Sequence, residues 1–422
     1  MEAAVSDLCD LIYDWNKVTG KTGPRGAVSI ADETLRDGLQ SPSVINPGIE
    51  DKLKILHLIE DLGVQSADIG LPGAGGQAVA HTERLAREIA GERMRIRPYC
   101  AARTVIPDIR PIAEISQKAG MPIEVAAFIG TSPIRQYAED WSLEGILRQC
   151  EEAVRFAVKE GLPVMFVTED TTRSRPEAIR RIYSEAIAWG ARAIVLCDTA
   201  GHATPGGAGN LVQFVLEEVV RPSGERIRVD WHGHNDRGLG VINAIAAYEA
   251  GANQLHGAAL GIGERVGNTS MDILLVNLRL LGYVSGDLSR LKDYCLTVSR
   301  ATGVPIPANY PVTGSDAFRT GTGVHAAAVI KALRKGDVEL ANMVYSGVPS
   351  HWFGLDQVIE VGPVSGRSNV LYWLEKRGIP ADEELVRCIF AKAKASDRVL
   401  AEDEILSEVH KLPGAASPPP KP

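Results

Sequence analysis

The chain has 422 residues, of which 45% are hydrophobic and 23% charged, and a net charge of -8. This size supports one large domain and a smaller one, and the acidic balance argues against a nucleic-acid binder, whose footprint is a basic patch. The six cysteines stand singly and no apolar run reaches membrane-spanning length, so a reducing, cytoplasmic setting is expected and no membrane partner is.

Residues 1–26 read as an N-terminal helix over 6–15 and a glycine-containing lead-in. From 27 onward, short β-rich runs alternate with amphipathic stretches rich in Ala, Leu and Glu. The predicted strands are 27–31, 66–71, 94–101, 123–129, 163–168, 193–197, 227–231 and 253–258; the predicted helices include 48–62, 143–159, 176–189, 205–219, 239–250 and 271–281. Strands with near-continuous apolar character suit a parallel sheet covered by helices. Eight such units in about 250 residues favour an α/β fold of the closed TIM-barrel type, over 27–284, rather than an open doubly wound sheet. Residues 285–412 read as a mainly helical C-terminal subdomain, and the Pro-rich 413–422 as a disordered tail.

In such barrels chemistry sits where the chain leaves the C-terminal ends of the strands. Arg36 and Asp37 follow the first predicted strand, Arg103 the third, Arg135 the fourth, Glu169 the fifth, Thr199 the sixth, His232 and His234 the seventh, and Glu264 and Asn268 the eighth. Within Trp231-His232-Gly233-His234-Asn235-Asp236 the two imidazoles are two residues apart, so on an extended strand both point the same way and reach one metal ion. The stretch 32–38 offers a carboxylate and 263–268 an amide oxygen, together a two-histidine, two-oxygen set with positions left for substrate. The competing structural role for the pair would require partners for all four ring nitrogens. His256 fits either a core position or one supporting the site. Arg135 either faces the pocket or answers Glu139 or Asp140 at the surface.

The run Asp32-Glu33-Thr34-Leu35-Arg36-Asp37-Gly38, the His232–Asp236 segment and Gly263-Glu264-Arg265-Val266-Gly267-Asn268 resemble the DRE-TIM metallolyases. Further matches are Glu169–Ser174, Asp198–Gly201 and Gly323-Val324-His325, so the resemblance runs from about 28 to 378. That superfamily includes 2-isopropylmalate, homocitrate, citramalate and Re-type citrate synthases and hydroxymethylglutaryl-CoA lyase. The Gly-Glu-Arg form at 263–265 looks like the condensing enzymes, whereas the lyases carry a loop with glycine and cysteine there.

The resemblance implies condensation of acetyl-CoA with a 2-oxo acid, followed by thioester hydrolysis. It implies a divalent cation (Zn, Mn or Mg) held by Asp37, His232, His234 and Asn268. Arg36 would face the negative charge developing on the ketone oxygen, Thr199 would bind the substrate carboxylate, and Arg103 would line the substrate pocket. His325 would be the base, with Tyr345 beside it, and Glu169 and Glu264 would orient these groups. A homodimer whose helical subdomains cross to the neighbouring barrel is implied as well. Two departures bear on specificity: Asp68-Ile69-Gly70 where relatives have Glu-x-Gly, and Thr131–Arg135 where many synthases have Ser-x-x-His. An inward Arg135 suits a dianionic 2-oxo acid such as oxaloacetate, 2-oxoglutarate or a phosphorus-containing pyruvate analogue; an outward one leaves 2-oxoisovalerate. A hydroxyacyl-CoA lyase and a non-catalytic barrel are the remaining readings. Leucine feedback through an added domain is not expected.

Overall fold

The computed structural model describes Leu11, Ile12, Asn16 and residues 28–411. The tail and most of the segment expected as an N-terminal helix lie outside the described residues. The chain divides into two units, whose described parts are mainly 28–306 and 307–411.

In the first unit eight strands close into a barrel: β1 Ser29–Asp32, β2 Ser66–Asp68, β3 Arg97–Arg103, β4 Glu124–Gly130, β5 Val164–Glu169, β6 Ala193–Asp198, β7 Arg228–Gly233 and β8 Gln254–Gly257. Every pairing is parallel, and β1 closes the ring by pairing with both β2 and β8. Alternate residues fill the interior, where Ala31, Ala126 and Ala193 leave room for Tyr99 and Met165, with Val195 and Cys197 above them. Toward the N-terminal end the fill becomes polar. Arg228 binds Asp230 at 2.9 Å and Glu124 at 2.9 Å, and Gln254 donates to Asp230 at 3.3 Å, so these buried charges are paired.

The helices that follow the strands cover the outer face. Three of them, Gly76–Gly91, Ile106–Ala119 and Pro133–Ala138, are additions to the helices read from sequence. The barrel unit extends past 284 to include helix Leu291–Thr302. Tyr294 of that helix explains this: it is fully buried and its hydroxyl donates to Asp32 and lies 2.9 Å from the Thr34 hydroxyl.

The second unit has its own apolar centre. Helices Arg367–Glu375, Glu383–Ala395 and Glu402–Lys411 enclose Trp373, Leu374, Ile389 and Ile405. Helix Gly323–Arg334 packs Ala326, Val329 and Ile330 against Ile359 and Tyr372. Among the described residues, no helix is long and apolar enough to cross a membrane, and the five cysteines are free thiols.

Candidate active site

The barrel's C-terminal mouth gathers the chemistry. β1 ends at Asp32, and the chain turns through Glu33 to Arg36 into a short 3-10 turn that starts at Asp37. β7 carries His232 facing inward one residue before its end at Gly233, and His234 follows two residues later, bridged to Asn268 on the loop after β8. That loop doubles back on itself so closely that a Cβ on Gly267, whose φ is 94°, would lie 1.7 Å from the Gly261 carbonyl oxygen. Glycine there lets Asn268 reach the site.

Asp37, His232 and His234 are buried and offer ligand atoms that all lie within 4.8 Å of one another. His232 Nε2 is 3.6 Å from Asp37 Oδ2, and the two imidazole centroids are 5.1 Å apart. Asn268 donates its amide to the Ile262 carbonyl at 3.0 Å, which leaves Oδ1 buried without a partner; His234 Nδ1 is buried without one too. Orphaned polar atoms of this kind are costly in a sealed interior, and a bound divalent cation resolves the cost. The donor set, one carboxylate, two imidazoles and an amide oxygen, fits such an ion. Burial and the neighbouring His232 hold His234 down to about 4, so it stays in the neutral, ligating form.

Glu33, His232 and His256 form a second close group, but hydrogen bonds already occupy it. Glu33 Oε2 accepts from His232 Nδ1 at 2.7 Å, and Oε1 lies 2.9 Å from His256 Nδ1. Burial pulls both imidazoles down, yet Glu33 reverses this in each, and with Asp230 it carries His256 up to about 9. His256 is thus a supporting residue. Glu33 is the main feature that sequence reading missed.

Arg36 extends over the site with its side chain 18% exposed, bonded to Asp68 at 2.6 Å and within 3.5 Å of Asp37 and 3.8 Å of Glu33. Burial opposes its charge, but these three carboxylates raise its pKa well above the usual value. Asp68 is the arginine's anchor.

A cavity of about 250 Å³ opens over these groups. Ala101, Ala126, Phe128, Met165, Val167 and Val195 give it an apolar floor, and Thr199, Glu169, Glu264 and Arg265 stand at its mouth. Burial raises the Glu169 carboxyl. The Thr199 hydroxyl accepts from the Asp170 amide at 2.8 Å, and Arg265 ties the Thr199 carbonyl, at 2.6 Å, to Asp236, at 2.8 Å. Glu264 is exposed on the rim.

Two arginines lie outside the cavity, Arg103 against the expectation that it lines the pocket and Arg135 in the second of its two readings. Arg103 grips Asp108, in the first turn of the next helix, through two bonds of 2.7 and 2.9 Å, and its side chain is 65% exposed; it does not line the cavity. Arg135 pairs with Glu139 at 3.0 Å one helical turn on and lies over the Trp141 ring, again outside the lining. In each case a nearer partner captures the guanidinium. His325 is exposed on helix Gly323–Arg334 in the second unit and stacks on Tyr345 with ring centroids 4.0 Å apart.

A sequence model of the family described as HMGL-like matches residues 27–296. A homocitrate synthase, AksA, of Methanopyrus kandleri is 33% identical over 389 residues, covering 90% of this chain and 91% of that protein. A 2-isopropylmalate synthase of Halothermothrix orenii is 32% identical over 379 residues, 87% of this chain and 70% of that one. A crystal structure of HMG-CoA lyase from Bacillus subtilis shares the fold with a TM-score of 0.57 at 18% identity, covering 68% of this chain and 97% of the lyase.

Proposed function

Because the chain belongs to the HMGL-like family, we propose that it is a transferase that condenses acetyl-CoA with a 2-oxo acid and hydrolyses the thioester, giving a 2-alkylmalate-type acid and free CoA. The observation that carries this reading is the convergence of Asp37, His232 and His234 beside the Arg36 cation over one cavity. A divalent cation held by these three residues and Asn268 would chelate the carboxylate and ketone oxygens of the 2-oxo acid and make its carbonyl carbon electrophilic. Arg36, already fixed by Asp68, places positive charge where the ketone oxygen gains negative charge, without reorganising at the moment of reaction. Thr199 orients the substrate carboxylate at the mouth. His325, on the resemblance to the condensing enzymes, removes a proton from the acetyl methyl group; the new carbon bond forms to the ketone carbon, whose oxygen takes up a proton. Water then releases CoA from the thioester. Tyr345 stacks on the base, and Glu169 and Glu264 orient groups at the rim. The same resemblance supports a homodimer in which the second unit serves the neighbouring barrel.

The apolar floor and the outward pairing of Arg135 support a 2-oxo acid with an apolar branched side chain, 2-oxoisovalerate, over a dianionic one. The test is a panel of 2-oxo acids with acetyl-CoA and added Zn, Mn or Mg, read as thiol release with product mass. The expected result is metal-dependent CoA release, greatest with 2-oxoisovalerate and unchanged in preference by Arg135→Ala. Preference for a dianionic acid that Arg135→Ala abolishes would reverse the substrate assignment; no CoA release with any acid would remove the condensation reading.

A further inference from the structure

A second cavity of about 480 Å³ adjoins the first on the barrel unit, and Arg36, Gln40 and Leu71 line both. Its outer wall combines two features that attract anions. Helix Gly76–Gly91 begins there with Gly75 as its N-cap, no side chain caps it, and its first turn holds no acid. The amides of that first turn have no partner inside the helix and carry the positive end of its dipole. The same cavity is lined by Lys52 of helix Ile49–Asp61, a residue only 7% exposed. Among the described residues its ammonium has no hydrogen bond or ion pair, and burial lowers its pKa. His81 lines the same cavity, where burial and then the nearby Lys52 charge depress its protonation. No carboxylate lines this cavity, in a chain of net charge -8.

An ammonium that opens into a cavity without a carboxylate or other partner is stabilised once an anion lies against it. The condensation cavity needs a thioester at its mouth, and a CoA thioester carries its charged diphosphate at the far end of an uncharged pantetheine arm. Leu71 and Gln40, apolar and neutral, sit where such an arm would pass between the cavities. We infer that the second cavity is the seat of the acyl-CoA diphosphate, held by Lys52 and by the helix start at Gly76. This inference rests on the acetyl-CoA reading above and adds the residues that would select the phosphate-bearing co-substrate.

The test uses the full chain and two variants that should both fold. Lys52→Met keeps most of the side-chain volume and removes only an unpaired charge, so its thermal midpoint should equal or exceed the wild type's. Gln77→Glu puts a negative charge on an exposed first-turn position, which suits the helix but repels an anion. Binding of CoA, inorganic pyrophosphate and S-acetylpantetheine is measured by calorimetry, alongside KM and kcat for acetyl-CoA. In both variants CoA and pyrophosphate should bind about tenfold or more weakly, while S-acetylpantetheine and 2-oxo acid binding hold. KM for acetyl-CoA should rise with kcat retained, and Lys52→Arg should restore most of the affinity. Undiminished CoA binding in Lys52→Met and Gln77→Glu, with turnover intact, would overturn the site and leave the condensation reading standing. Equal loss of S-acetylpantetheine would make Lys52 a structural residue. Lys52-dependent pyrophosphate binding in a wild type that ignores CoA would overturn the acyl-CoA assignment together with the condensation reading.

Discussion

Glu33 commits both carboxylate oxygens to imidazoles, His232 at 2.7 Å and His256 at 2.9 Å. Because His232 is held through Nδ1, its Nε2 is turned toward Asp37, which is how carboxylate partners fix the tautomer and aim of a ligating histidine. Two kinds of substitution should therefore separate. Asp37→Ala or His232→Ala removes a ligand, so the purified protein should contain little metal by elemental analysis and show no turnover, yet keep its circular dichroism spectrum. Glu33→Gln keeps the ligands and loosens their aim, so metal affinity should fall by about 10–100-fold and excess metal should restore turnover. Wild-type metal content in folded, inactive Asp37→Ala would remove Asp37 from the site. The convergence of Asp37, His232 and His234 was legible from the i, i+2 imidazole spacing and the motif after the first strand. Glu33's role was not, because its partners lie 199 and 223 residues away and only barrel closure brings them together. Arg103 and Arg135 show the opposite limit: strand ends predict where an arginine starts, but an acid four or five residues on decides where its guanidinium goes.

The barrel strands were legible chiefly through short, near-continuous apolar runs such as those within Val164–Glu169 and Ala193–Asp198, the mark of a strand buried on both faces. Helices were read less completely, for local reasons. Ile106–Ala119 contains Pro107 in its first turn, which a helix accepts, and Pro111 further in, which costs a backbone bond and hides the pattern. Gly76–Gly91 starts in a glycine cluster that reads as a turn. Helix Leu291–Thr302 was assigned to the wrong side of the boundary, since nothing local announces that Tyr294 reaches Asp32. Burial pushes the Asp32 carboxyl up to about 6, and the Tyr294 hydroxyl works against that by donating to its ionised form. A raised folded-state pKa means that Asp32's contribution is present at low pH and declines as pH climbs through about 6. Tyr294→Phe should deepen that decline: a destabilisation of about 1–3 kcal/mol, larger at pH 8 than at pH 5 in urea unfolding. A cost independent of pH would mean that Tyr294 acts through packing and Thr34 instead.

At the scale of the molecule, the groups proposed for one reaction lie in different units of the chain. Asp37, His232, His234 and Arg36 belong to the barrel unit, while His325 and Tyr345 belong to the C-terminal unit. A base that meets a substrate held by a barrel comes either from the same chain or from a second copy, and the resemblance to the condensing enzymes favours the second copy. Mixing two inactive variants distinguishes these arrangements. In a heterodimer of Asp37→Ala with His325→Ala, exchange pairs an intact barrel from one chain with an intact His325 from the other, so one of the two sites is whole. Without exchange, each chain keeps its own lesion and both sites stay dead. Random pairing makes about half of the dimers mixed, so co-expression should restore about one quarter of wild-type specific activity if the units are exchanged. Measured CoA release near zero in the mixture, with mixed dimers verified by differential tags, would assign His325 to the barrel of its own chain.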